Sequence, residues 1–332
     1  MRRIRKILAL MMIGVFLTGT LTACKKNRGG DKKLPSSQGF TKDVLMRIDG
    51  TEVSYAEANI YLLSMREEVE TLYGEGIWDF RFTRDGRTYS ELMKDELLEK
   101  IIYIKLVGKM ADEFGIALGA DDVLDVNDYT HDFLNGITEE TAKRYGITEE
   151  LVRSIYTDNV LAKKVYEAVT LNVKAKPDEN ETKRADFYYL FKKKIYIDNE
   201  GNPVQISGEG LRELREDMQI LLGQATTTED FMKFAKSKTD APSVEMTIGP
   251  DSFDREITDR LFQLQEGQVS QVVETNDGFY IFCCKNRVNA AETQRAEEEA
   301  YAQICKEYFK ELYEEWRSKS RVEVNEALWE AM

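Results

Sequence analysis

The 332-residue chain is 42% hydrophobic and 32% charged, with a formal net charge of −14, five prolines and one histidine. Such a mix builds a sizeable core, which excludes both wholesale disorder and a small disulfide-stapled scaffold. The acidic balance argues against a nucleic-acid partner, whose phosphates would repel it, and a lone His131 excludes chemistry that needs two histidines and most His-ligated metal sites.

Residues 1–24 read MRRIRKILALMMIGVFLTGTLTAC. A basic start, an apolar run from Ile7 to about Leu17 and then small or neutral residues form a secretory leader, too short to span a bilayer comfortably as a mature helix. Leu21-Thr22-Ala23-Cys24 resembles the lipobox of bacterial lipoproteins. That resemblance implies cleavage before Cys24, acylation of its sulfur, and anchoring on the extracytoplasmic face of a bacterial, Gram-positive cell membrane. Two acyl chains anchor stably where one binds marginally. Loss of Arg2, Arg3, Arg5 and Lys6 with the leader takes the net charge from −14 to −18. Residues 24–40, rich in Lys, Gly and Ser, read as a flexible basic tether. Its lysines suit anionic lipid and suit plain solvent equally well.

Val44–Val53 alternates around Asp49-Gly50, a tight-turn dipeptide that predicts a hairpin. Ser54-Tyr55-Ala56-Glu57 is a capping-box pattern that opens a helix to about Tyr73, and Thr88-Tyr89-Ser90-Glu91 is a second. The helix behind it carries Met93, Leu97, Ile101 and Ile104 on one apolar stripe, and Gly115 is its expected stop. Gly-Ile-Thr-Glu-Glu occurs at 136–140 and again at 146–150. Ten residues is too short for a domain repeat, so this is one helix-start device used twice, with Thr capping and acids at the positive helix end.

After Lys176-Pro177 the pattern changes. Ala185–Phe191 is β-prone, Lys194–Ile206 predicts an extended hairpin, and a helix follows from Gly208 to about Leu222. Thr226–Glu229 predicts the cap of another helix carrying Phe231, Phe234 and Ala235. Arg255–Leu264 reads helical, Val269–Glu274 extended, and Asp277-Gly278 turns into a strand over Phe279–Cys284. Residues 291–318 form a charged helix with Ala296, Ala300, Ile304, Phe309 and Leu312 as its seam.

Cys283, Cys284 and Cys305 match neither a disulfide framework nor a zinc site; adjacent Cys283 and Cys284 fall on opposite faces of a strand. The acids of Ala120–Asp128 lack the Gly and terminal Glu of a calcium loop. With no dinucleotide fingerprint, phosphate loop or nucleophile elbow, no cofactor and no metal are expected.

Gln263–Ile281, reading QLQEGQVSQVVETNDGFYI, resembles the end of a parvulin-type (PpiC-type) prolyl isomerase domain, and Glu229–Ala235 is similar to that family's (Glu/Asp)-x-Phe-x-x-Leu-Ala segment. Val44–Gly50 with the capped helices behind it is similar to the helical domain of the PrsA foldase lipoproteins and of SurA. The resemblance implies an α+β fold: a helical chaperone-like module into which a parvulin-like β-α3-β-α-β2 domain is inserted. Its divisions are a signal peptide at 1–23, the tether at 24–40, a helical SurA-N-like domain at 41–176, the parvulin-like domain at 183–288, and a C-terminal helix at 289–332 packing on the helical domain.

The family's two histidines are missing. Tyr280 stands at the second, and Phe187, or Tyr188 after a one-residue slip, at the first; Asp240 matches the family's acid. The resemblance thus assigns Asp240 and Tyr280 to catalysis and Phe187, Phe253, Ile257 and Phe262 to an apolar substrate pocket. It implies a membrane-anchored extracytoplasmic foldase acting on unfolded or proline-containing secreted polypeptides, with a weak or inactive isomerase domain. The alternatives are an active isomerase working through Tyr280, Asp240 and the apolar pocket, and a non-catalytic scaffold lipoprotein.

Overall fold

The computed structural model describes residues 39–81 and 86–332. The leader, Cys24 and the tether as far as residue 38 lie outside the described residues. The chain divides into two compact units, one formed by residues up to Val173 together with Cys305–Met332, the other by Lys174–Ile304.

The first unit opens with β1 (Val44–Ile48) and β2 (Thr51–Ser54), paired antiparallel with Ile48 opposite Thr51. The two residues between them have φ of 50° at Asp49 and 86° at Gly50, the left-handed backbone that a two-residue hairpin turn requires. Helix α1 (Tyr55–Tyr73) starts where Ser54 Oγ accepts the Glu57 N–H. Helix α2 (Tyr89–Glu113) carries the full reciprocal cap between Thr88 and Glu91, and its stripe Met93, Leu97, Ile101, Ile104 is buried. After α3 (Ala120–Gly136), the repeated device does the same work twice: Thr138 caps α4 (Glu139–Tyr145) and Thr148 caps α5 (Glu149–Thr170).

The core of this unit joins those helices to the second half of a long helix, α10 (Ala290–Lys319), and to β9 (Val322–Val324), which completes a three-stranded sheet in the order β2-β1-β9. Of the predicted α10 seam, Ala296 and Phe309 are buried and Leu312 is half-exposed, while Cys305 and Tyr313 are buried in addition. Tyr313 and Phe309 set their rings 5.2 and 6.2 Å from Tyr103, an anchor that no local pattern announces. Lys105 Nζ lies 2.7 Å from both Glu57 and Asp158. Burial alone would lower the Lys105 pKa, but the two carboxylates outweigh it and hold the ammonium above its ordinary value.

The second unit contains a short α6 (Glu179–Thr182), then β3 (Ala185–Lys193), a hairpin of β4 (Ile195–Ile197) and β5 (Pro203–Gln205), α7 (Gly208–Ala225), α8 (Phe231–Lys238), β6 (Glu245–Ile248), α9 (Arg255–Phe262), β7 (Val273–Glu274) and β8 (Gly278–Asn286). The predicted Thr cap of α8 is replaced. Asp230 Oδ1 accepts the Lys233 N–H, whereas Thr226 and Thr227 turn their hydroxyls back to the carbonyls of Gly223 and Gln224 and finish α7 instead. Only Val273–Glu274 of the stretch predicted as extended forms a strand, with Val269 making one isolated bridge to Cys283. Strands β6-β3-β8-β7 form a four-stranded antiparallel sheet. A short helix, α11 (Glu326–Glu330), ends the chain. Among the described residues, no helix is long and apolar enough to cross a membrane.

Candidate functional site

Strand alternation sorts the sheet's two faces. Tyr188 and Leu190 of β3 and Phe279, Ile281 and Cys283 of β8 face α7 and α8, meeting Met218, Phe231 and Ala235. Phe187 and Tyr189, with Tyr280, Phe282 and Cys284, face the other way toward α9. The adjacent cysteines therefore do point to opposite faces, as buried small residues. Tyr188 packs on the helix side with Lys285 Nζ 5.2 Å from its ring centre, whereas Phe187 is the residue of the two that faces α9.

On the α9 side the rings form a continuous aromatic cluster, with Tyr189, Tyr280 and Phe282 buried and Phe253 half-exposed. Tyr280 and Phe282, two apart on β8, stack at 5.4 Å and within 5° of parallel. Phe253 stands edge-on to both, 5.5 Å from each. Phe191 lies 4.6 Å and Tyr189 6.1 Å from Tyr280. These separations fall where offset and edge-to-face aromatic pairs are favourable. Phe253 is placed by the turn after β6, where Gly249 N–H donates to Ser252 Oγ and Thr258 Oγ1 donates to the Phe253 carbonyl. Ile257 and Phe262 of α9 pack on the same cluster and remain half-exposed.

The sequence-assigned residues fall into three groups. Tyr280, Phe253, Ile257 and Phe262 share the aromatic face. Phe187 belongs to the same cluster, is 1% exposed and packs edge-on against the fully buried Phe282, so the two support the cluster from beneath. Asp240 sits at the end of β3: its backbone N–H donates to Phe191 O, its carboxylate pairs with Lys192 at 2.8 Å and it accepts the Lys193 N–H.

The polar partner of Tyr280 is Asp277, whose Oδ2 accepts the phenol at 2.8 Å. Asp277, Tyr189, Phe191 and Phe282 join this site without being among the residues that the sequence resemblance assigns to it. The signals were available: Tyr189 and Phe191 are two and four residues beyond Phe187, Phe282 two beyond Tyr280, and Asp277 lies just across the Gly278 turn. Burial, with the Asp277 carboxylate beside it, pushes the Tyr280 phenol well above its ordinary range. Burial would raise Asp277 too, but hydrogen bonds from Thr275 and Tyr280 outweigh it and hold the carboxyl below its usual value.

Gly278 lets this end of the sheet close. A Cβ there would lie 2.3 Å from both Lys192 O and the Phe191 ring. On the opposite side Glu274 accepts from Arg215 of α7 at 2.8 Å and from Lys194 at 2.8 Å; chiefly through the Arg215 bond, its carboxyl falls to about 2.

His131 is exposed on α3 in the first unit, so the second unit contains no imidazole. Nor is a nucleophile needed to turn a prolyl bond. The barrier is about 18–20 kcal/mol, and a surface that binds the twisted amide better than the planar forms lowers it.

Residues 184–302 match the family described as the PPIC-type PPIASE domain. Over 350 aligned residues the chain is 23% identical to foldase protein PrsA of Clostridium botulinum strain Hall, covering 98% of this chain and 99% of that protein. It is 20% identical to foldase protein PrsA of Clostridium perfringens over 84% of this chain and 81% of that protein. A solved peptidylprolyl isomerase (PrsA) from Bacillus cereus is 14% identical, with 71% of this chain and 89% of that one covered and a TM-score of 0.35.

Proposed function

We propose that this chain, whose residues 184–302 match the PPIC-type PPIASE domain family, is an extracytoplasmic foldase. It is anchored through a lipidated Cys24 and holds apolar and proline-containing segments of unfolded secreted polypeptides. One observation carries the reading: Tyr189, Tyr280, Phe282 and Phe253 converge, with Ile257 and Phe262 beside them, on one face of the sheet. A prolyl ring and its apolar neighbours would meet the half-exposed Phe253, Ile257 and Phe262, with Tyr189, Tyr280 and Phe282 packed behind them, and burial of a bound segment there removes water from its amide.

The same surface lacks imidazole, so binding exceeds catalysis in this domain. Asp240, committed to Lys192 and the Lys193 N–H, acts as a brace at the groove's end, and Tyr280 is the polar group nearest a bound amide. The length-wide similarity to foldases supports the holding role.

The test is cis–trans exchange of a short Xaa-Pro peptide, followed by NMR with the chain from Leu34 to Met332, which retains every described residue. Peptide shifts that titrate with protein and vanish with Phe253→Ala, alongside exchange close to the uncatalysed rate, are expected. No peptide binding at millimolar protein, together with no delay in the aggregation of an unfolded client, would overturn the reading. Anchoring is tested separately by lipid labelling of the full chain and of Cys24→Ser, which should remain unlabelled.

A further inference from the structure

The turn carrying Asp277 is tied down from several directions. The Lys194 N–H donates to the Asp277 carbonyl at 2.9 Å, and Lys194 Nζ donates to the Thr275 carbonyl at 2.6 Å. Across the turn, the Thr275 N–H donates to Gly278 O at 2.9 Å. The Asp277 carboxylate is thereby fixed in place, where it accepts from the Thr275 hydroxyl and, at 2.8 Å, from the Tyr280 phenol. Tyr280 in turn lies within 5° of parallel to Phe282 and beneath the edge of Phe253.

A phenol has one proton to donate. With that proton given to Asp277, the Tyr280 oxygen meets a bound segment only as an acceptor, and the ring loses its freedom to rotate out of the stack. We propose that Asp277 is a positioning residue of the aromatic cluster: it holds the Tyr280 ring parallel to Phe282 and behind Phe253 and commits its proton, so that a prolyl segment bound at Phe253 finds apolar contact and no donor at this position. Lys194 and Tyr189 are the other titratable groups that bear on the pair, Lys194 on Asp277 and Tyr189 on Tyr280. The inference rests on the groove binding prolyl segments, but its first test does not.

That test places ¹³C at tyrosine Cζ in the Leu34–Met332 chain and reads the Tyr280 resonance at neutral pH, assigned by its disappearance in Tyr280→Phe. Asp277→Ala should move this resonance, because the phenol loses its acceptor; an unmoved resonance would overturn the pairing. The second test is a double-mutant cycle on binding of the Xaa-Pro peptide. Asp277→Ala should weaken binding roughly fivefold in the native background and have no further effect when Tyr280 is already Phe. Equal losses in both backgrounds would show that Asp277 does not act through Tyr280. Asp277→Asn keeps an acceptor and should bind within roughly twofold of the native chain; binding as weak as the alanine variant's would overturn the acceptor role. If the native chain binds no peptide, the groove reading fails while the resonance still decides the pairing.

Discussion

The two faces of the β6-β3-β8-β7 sheet share the same strands and are built for different ends. One is packed against α7 and α8, where aliphatic Leu190, Ile281, Met218 and Val244 surround Phe231 and Phe279. The other is aromatic and covered in part by the short α9 and the turn before it, which leaves Phe253, Ile257 and Phe262 half-exposed. Residues one apart on the same strand therefore answer to different demands. A closed face loses stability when it is truncated, and an open one loses binding.

The largest effect should come where neither face can yield. Gly278→Val would drive a side chain into Lys192 O and the Phe191 ring, costing about 4 kcal/mol by chemical denaturation; a native-like midpoint would show that β3 and β8 can separate at that end. Next, Ile281→Ala on the closed face should cost about 3 kcal/mol while peptide binding per folded molecule stays unchanged. Phe253→Ala should do the reverse, losing about 1–2 kcal/mol of stability and most of the peptide binding. If both variants lost stability and binding in the same proportion, the division between faces would be wrong.

The smallest effect is an acid one, confined to the closed side. The Glu274 carboxyl sits at about 2 against an ordinary 4.5, so its contribution is present above pH 4.5 and is lost as pH falls toward 2. Glu274 is 39% exposed, and solvent screening reduces the contribution to about 1 kcal/mol. Glu274→Gln should remove that part of the acid dependence measured by urea denaturation, leaving Tyr280 and its peptide affinity at neutral pH unaffected.

Much of this architecture is written locally. The Asp49-Gly50 turn, the Ser54, Thr88, Thr138 and Thr148 caps and the strand at Ala185 each depend on residues within a few positions of one another, where backbone preference and side-chain capping act directly. The face assignment of Tyr280 and Cys283 follows from period two alone, and the same count reaches Tyr189 and Phe282. Where two local devices compete, as Thr227 and Asp230 do between α7 and α8, sequence offers both and hydrogen-bond geometry selects one.

The sequence by itself determined the elements, the absence of imidazole from residues 174–304 and the residue types available for an apolar groove. Tertiary structure decided which of them work together. Asp240 and Lys192 are 48 positions apart, and Phe253 reaches Tyr280 only because β6 and α9 bring its turn over β8. Such pairings are fixed by packing across the sheet, and side-chain burial over long sequence separations has no local signature. The Asp277–Tyr280 bond spans three residues, yet it too depends on Gly278 allowing β3 to approach, because that contact sets the turn and so aims the carboxylate at the ring.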